Sequence, residues 1–433
     1  MRINPQEKLP PFLYEAAIYI YEKMKKAGFE CYLVGGCVRD MLLNRRVQDL
    51  DFATNARPEK ITKIFTHTIP LGAAYGTVIV VYKKKPFEIT TYRREMHYTD
   101  GRRPEKIEFG KTLEEDVIRR DFTINGLALS LETGEILDFV GGWKDLQAKI
   151  IRTIGDPLER FSEDGLRPIR GCRFAACLDF HLAPETARAM PYARSTIARV
   201  AHERFYDEWK KTQRNCHRFR FFSLLKENQI LEIFMGRLYP YLENESIWFK
   251  LEKYLQNEPL NMAIYAAYIL AAIIGLPERQ LSPPFASVAK AFFREIRFPQ
   301  TLAKLALSLC HSPLYQVLSE KPFAQAKLKN ALSEVEPAWR HYHIRFMRDI
   351  WPNKETIKEF YRLLWDIRKE PLYIRQLAIN GNDLKTLGFT GPQIGQLLRL
   401  LLAHIHERPE ENQKSLLLEK AKKLGEEIKM TSL

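Results

Sequence analysis

Between Cys31 and Phe52 the chain reads CYLVGGCVRDMLLNRRVQDLDF, and few folds accommodate that stretch. The apolar run Cys31 to Val34 is broken by Gly35-Gly36, Val38 to Leu43 has helical character, and Gln48 to Phe52 resumes an extended pattern. Side chains alternate faces along a strand, so Asp49 and Asp51 are expected on one side. Two carboxylates held that close repel each other unless a cation lies between them. Paired glycines at a helix start offer backbone N–H groups to an anion. A metal site beside a phosphate cradle is the equipment of nucleotidyl transfer.

The rest of the composition narrows the class. A chain of 433 residues has room for about two to four domains. With 45% hydrophobic and 28% charged residues it reads as a soluble globular protein. The formal charge of +14 favours a polyanionic partner such as nucleic acid. Cysteines at 31, 37, 172, 177, 216 and 310 form no C-x-x-C pair, which argues against a disulfide framework or structural zinc and fits a reducing, cytoplasmic setting. No secretory leader is expected from MRINPQEKLPPF. The longest apolar run, Met262 to Leu276, is short for a membrane span and reads as a buried helix.

Along the chain, Pro11 to Ala27 predicts an amphipathic helix stopped by Gly28, and Pro58 to Phe65 another. Gly76–Tyr82 and Phe87–Tyr92 read as strands of a hairpin across Lys83–Pro86, with Glu88 between apolar neighbours. Arg93 to Thr112 is basic, polar and irregular, hence a loop. RRDFTIN follows at Arg119–Asn125; a guanidinium there suits phosphate through paired hydrogen bonds. In the EDGLRPIRGCRF stretch, Leu166, Ile169, Phe174 and Leu178 predict a helix. If it began near Glu163 or Asp164, Asp164 and Arg167 would be surface neighbours three apart, and Pro168 would remove a helix hydrogen bond. Gly171 is also unusual inside a helix. Residues beyond Thr212 are helical by pattern, without a His-Asp dipeptide.

Taken together, LVGGCVRD, DLDFAT, RRDFTIN, the EDGLR segment and HERFYDEW resemble the signatures of the class II tRNA nucleotidyltransferases (CCA-adding enzymes) and their bacterial poly(A) polymerase relatives, within the polymerase-β-like superfamily. The resemblance implies an α+β chain: a nucleotidyltransferase head with mixed sheet and helices over 1–140, then an all-α neck (141–210), body (211–345) and tail (346–433). It implies CTP and ATP as substrates, tRNA held by its acceptor arm and elbow, pyrophosphate as product and no membrane partner. Asp49 and Asp51 would hold two Mg²⁺, with Glu88 as a third carboxylate. Gly35, Gly36 and Arg39 would grip phosphates, Arg120 the triphosphate and sugar region, and Asp121 and Asn125 would shape the sugar pocket. Asp164 and Arg167 would serve as a protein template for the base, with Arg170 and Arg173 holding base and phosphates. A carboxylate only accepts and a guanidinium only donates, so cytosine and adenine fit that pair while uracil and guanine present a carbonyl to the carboxylate. Tyr98, Asp100, Arg102, Arg103, Pro104 and Phe109 resemble a family loop that switches C addition to A addition. Gly391-Pro392 and its surroundings resemble the family's tail. An A-adding-only enzyme, a poly(A) polymerase and a silent RNA-binding protein on the same scaffold stand as the other readings.

Overall fold

In the computed structural model, residues 1–69, 75–94, 108–279, 281–320 and 323–431 are described, the side chains of 427–431 excepted. Tyr98, Asp100, Arg102, Arg103 and Pro104 of the expected switching loop lie outside the described residues.

Seven strands make one mixed sheet: β1 Tyr32–Val34, β2 Asp51–Thr54, β3 Thr68–Ile69, β4 Thr77–Tyr82, β5 Lys85–Thr91, β6 Leu127–Ser130 and β7 Ile136–Asp138. Their order is β3-β4-β5-β2-β1-β6-β7, with β2 and β5 parallel and the other neighbours antiparallel. The β4–β5 hairpin closes more tightly than expected. Lys83 and Lys84, both exposed, take φ of 46° and 67°, and β5 begins at Lys85. That two-residue turn with both φ positive matches the right-handed twist of the strands it joins.

Helix α1 (Pro11–Lys26) covers the sheet with Leu13, Ala16, Ala17, Ile20 and Met24, the spacing of one helical face. Gly28, at φ +82°, ends it with a conformation that a Cβ would strain. Helix α2 (Gly36–Leu42) starts directly after β1 because Gly35 turns the chain at φ +74°.

The chain divides into two compact units, Met1–Tyr239 with Glu295–Arg297, and Pro240–Arg294 with Phe298–Leu433. The expected head and neck fall within the first, and residue 140 is no seam: Phe122, Phe174, Ala175 and Phe180 share one apolar core with Leu33 and Phe52. The second unit is helical. Its Met262–Ile274 helix is buried along most of its length and capped by Asn261, whose side-chain oxygen accepts from the Ile264 N–H at 3.0 Å. Among the described residues no helix is long and apolar enough to cross a membrane.

Two sequence expectations change. The predicted helix from Glu163 is two helices, α3 (Pro157–Glu163) and α4 (Leu166–Leu178), broken at Asp164-Gly165. A Cβ on Gly165 would lie 2.4 Å from the Thr196 carbonyl oxygen, so the backbones touch there as only glycine permits. Pro168 is consequently the third residue of α4, where the N–H has no intrahelical acceptor, and no hydrogen bond is lost. Gly171 is explained by packing, since its Cβ would sit 3.1 Å from both Phe122 and Met190. Second, Cys177 and Cys216 are joined as a disulfide, while the other four cysteines are free and buried.

Candidate active site

The β2–β5 pairing sets Asp51 opposite Glu88, Cα partners in the parallel register. The structure starts β2 at Asp51, so Asp49 precedes the strand, yet alternation persists: Leu50 and Phe52 are buried while Asp49 and Asp51 face solvent. Lys85 reaches the Asp49 carboxylate at 3.4 Å. Asp51 lines a cavity shared with Asp49 and is crowded by the chain around it. Burial, then the Glu88 charge and more weakly that of Asp49, push its pKa up to about 6, against the pull of Arg120. A carboxylate whose ionised form is disfavoured by two neighbouring carboxylates is one that a cation would relieve. Asp49, Asp51 and Glu88 thus fit a divalent ion chemically. Among the described residues no three His, Cys, Asp or Glu are grouped closely enough to hold an ion by themselves.

Around this edge the arginines are organised by buried acids. Gly35 lies at the site because Arg120 passes within 3.1 Å of where its Cβ would stand. Arg120 donates to Asp116 at 2.9 Å, and its buried Nε finds no partner. Asp116 is fully buried and also binds Arg119 and the Arg93 N–H; despite burial, the two guanidiniums hold its pKa below the usual range.

Asp121 is the second hub. Oδ1 accepts from the Phe122 N–H (2.8 Å) and Asn125 (3.0 Å), and Oδ2 from Arg170 Nε (2.7 Å), with Arg170 Nη2 ion-paired to the same oxygen at 2.6 Å. Burial alone would raise its pKa; the Arg170 charge and these hydrogen bonds overcome that and bring it down to about 2. Asn125 passes the order on, accepting from Arg39 at 2.7 Å, and Arg39 grips Asp40 at 2.9 Å. Glu208, 1% exposed, is the third hub, bound by Arg173 (2.5 Å) and Lys211 (2.7 Å) with Arg170 at 3.9 Å.

A cavity of about 710 Å³ opens here, lined by Gly36, Arg39, Asp49, Asp51, Arg173 and Phe174 among others. Gly35, Glu88, Arg120, Asp121, Asn125, Asp164, Arg167 and Arg170 do not line it. Asp164 sits in the α3–α4 break, caps the Leu166 N–H at 3.0 Å and takes the two-pronged guanidinium of Arg204 at 3.1 and 3.0 Å. Arg167 is buried and committed to Glu163 (2.5 Å) and the Arg160 carbonyl (2.9 Å). The two meet through the backbone, the Arg167 N–H donating to the Asp164 carbonyl at 3.0 Å, while their side chains are committed elsewhere, Asp164 to Arg204 and Arg167 to Glu163. Arg204 lies on the HERFYDEW helix that the sequence singled out, whereas Asp116 and the hub role of Glu208 were missed. Burial is what makes those two acids matter, and a lone acid shows no burial in a sequence.

The chain is similar to known proteins over most of its length. The family profile described as "Poly A polymerase head domain" matches residues 31–152, and "Probable RNA and SrmB- binding site of polymerase A" matches 179–245. The CCA-adding enzyme of Limosilactobacillus fermentum is 32% identical over 424 residues, covering 96% of this chain and 98% of that protein. That of Streptococcus suis is 46% identical over 201 residues, 46% of this chain; the chain spans only half the length of such streptococcal relatives. The Bacillus stearothermophilus CCA-adding enzyme in complex with CTP superposes with a TM-score of 0.77 at 27% identity, covering 98% of this chain and 100% of that one. The Thermotoga maritima CCA-adding enzyme complexed with tRNA shares the fold at a TM-score of 0.65 and 19% identity, covering 96% and 97%.

Proposed function

The chain belongs to the CCA-adding enzyme family, and from that premise we propose that it completes or repairs the 3′-CCA end of tRNA, adding C from CTP and A from ATP without a nucleic-acid template and releasing pyrophosphate. The observation that carries the reading is the carboxylate cluster on the β2–β5 edge beside the arginine set. In the reaction the primer 3′-oxygen attacks the α-phosphorus, a new P–O bond forms, and the bond to pyrophosphate breaks in line. Asp49 and Asp51, with Glu88 as the third carboxylate, would hold two Mg²⁺, which when bound supply charge neutralisation and a more acidic 3′-hydroxyl.

The chain's own groups do the rest. The Gly35-Gly36 turn and Arg39 hold phosphates, and Arg120 reaches toward the same edge from its anchor on Asp116. Asp121 serves by fixing Arg170 and Asn125; Asn125 in turn fixes Arg39. Asp164 and Arg167 are assigned to base choice, which requires Arg167 to exchange Glu163 for the ring acceptor of C or A. Each buried group left unpaired by a wrong base costs about 1–3 kcal/mol. The helical second unit is assigned to the tRNA backbone, to which the chain's net charge of +14 is suited. Its setting is the cytoplasm, where tRNA ends are processed.

The test is product length. tRNAs ending at the discriminator base, at C and at CC are incubated with each labelled nucleotide alone. C on the first two and A only on the third is the expected result; A on the third alone means an A-adding enzyme, and long A tracts a poly(A) polymerase. Asp49→Ala should abolish addition and leave tRNA retention on a filter largely intact.

A further inference from the structure

We propose that Phe174 is a positioning residue whose ring draws Arg39 and Arg173 into a polyphosphate-binding wall, with Arg170 behind them on the same ring, a role that rests on the nucleotidyl-transfer reading above. The three guanidiniums lie 5.1, 5.4 and 3.9 Å from one ring centroid. They come from two places in the sequence: Arg39 from α2 just after the glycine turn, Arg170 and Arg173 from α4. Phe174, Arg39 and Arg173 line the same cavity as Asp49 and Asp51.

Three positive groups do not crowd without cause. Each is held on one side by an acid: Arg39 by Asp40, Arg170 by Asp121, Arg173 by Glu208. These acids stand apart, and none of them bridges all three arginines. The ring does, because the negative face of an aromatic attracts cations that would otherwise repel one another. Phe174 is itself fixed, 6% exposed and edge-on to Phe122 at 5.9 Å. Closely spaced cations on a rigid base match a ligand with closely spaced anions, the triphosphate of a nucleotide.

Phe174→Leu keeps an apolar side chain of similar bulk and removes the quadrupole; Phe174→Tyr keeps both. Binding is read with inorganic triphosphate by calorimetry, and transfer separately with CTP and tRNA. For Phe174→Leu we expect affinity for inorganic triphosphate to fall about tenfold and KM for CTP to rise by a similar factor, kcat to drop less than about threefold, and Phe174→Tyr to behave as wild type. A leucine variant that binds triphosphate as tightly as wild type overturns the proposal. So does one that loses kcat at unchanged KM, or a tyrosine variant as weak as leucine. Wild-type protein that binds triphosphate but extends no tRNA would sink the transfer reading and leave the role of the ring standing.

Discussion

Replacing Asp121 by Asn separates charge from shape at the centre of the arginine set. The native carboxylate accepts three hydrogen bonds and ion-pairs with Arg170, and against its burial these hold its pKa at about 2, about two units below the ordinary value. The side chain is 10% exposed, so little of that is screened by solvent. Two units correspond to about 2–3 kcal/mol of folding stability at neutral pH. The sign follows from the direction: a depressed acid binds fewer protons folded than unfolded. Its contribution is complete above pH 4, declines as pH falls from about 4 to about 2, and is gone below. Asp121→Asn should therefore lose about 2–4 kcal/mol at pH 7, the upper end because Arg170 is left without its counter-charge. Urea unfolding followed by tryptophan fluorescence, for wild type and variant at pH 7, 5, 3 and 2.5, measures the gap directly. A gap of the same size at pH 2.5 as at pH 7 would refute the charge-based account. Asp121→Asn should also raise KM for CTP by freeing Arg170 and Asn125 together, which tests the positioning role independently of stability.

Other perturbations have equally definite outcomes. The Cys177–Cys216 bond closes a sequence separation of 39, so Cys216→Ser should lower stability by about 4 kcal/mol on the chain-entropy estimate, and dithiothreitol should reproduce the loss in wild type but not in the variant. His343, buried between Ser308 (3.0 Å) and Ser312 (2.8 Å), has its pKa lowered by burial to about 4. Its neutral form supports the fold above pH 6.5, and up to about 3 kcal/mol is lost as pH falls toward 4; a pH series of melting curves should show the loss in wild type and not in His343→Gln. Gly165→Ala forces a methyl group against the Thr196 carbonyl and should cost about 1–3 kcal/mol while shifting Asp164, seen as a lower melting temperature with poorer rejection of UTP.

What could be read from the sequence was what repeats a physical rule locally. Alternation put Asp51 on the outward side at the start of β2, the apolar spacing gave α1, and the run from Met262 gave a buried helix; each appears within a few residues of where it was expected. Asp49 and Asp51 were legible as a pair because a two-residue period leaves both exposed around the buried Leu50, although only Asp51 belongs to the strand. The α3–α4 break was not visible, since its cause is the Thr196 carbonyl, thirty-one positions from Gly165 along the chain. The disulfide was hidden for the same reason: two cysteines without short-range spacing carry no pairing signal until α4 and the segment after α5 (His202–Lys211) are brought together.

The buried acids explain why a site made of arginines can be both basic and ordered. An unpartnered arginine keeps long-chain freedom and loses it on binding, at a cost in affinity. Asp116, Asp121 and Glu208 remove that freedom beforehand, since each fixes at least two cationic or amide side chains. The consequence is asymmetric. Deleting an arginine removes one contact to the ligand, whereas deleting a hub releases several and leaves buried charges unpaired. Glu208, which stands behind the cavity wall and does not itself line it, should therefore matter more than Lys211, which does. Glu208→Gln should raise KM for both nucleotides and lower the melting temperature together, while Lys211→Ala, whose side chain is half exposed, should leave the melting temperature within a degree or so. If the two variants are equally stable, preorganisation by buried acids is not what holds the arginines in place.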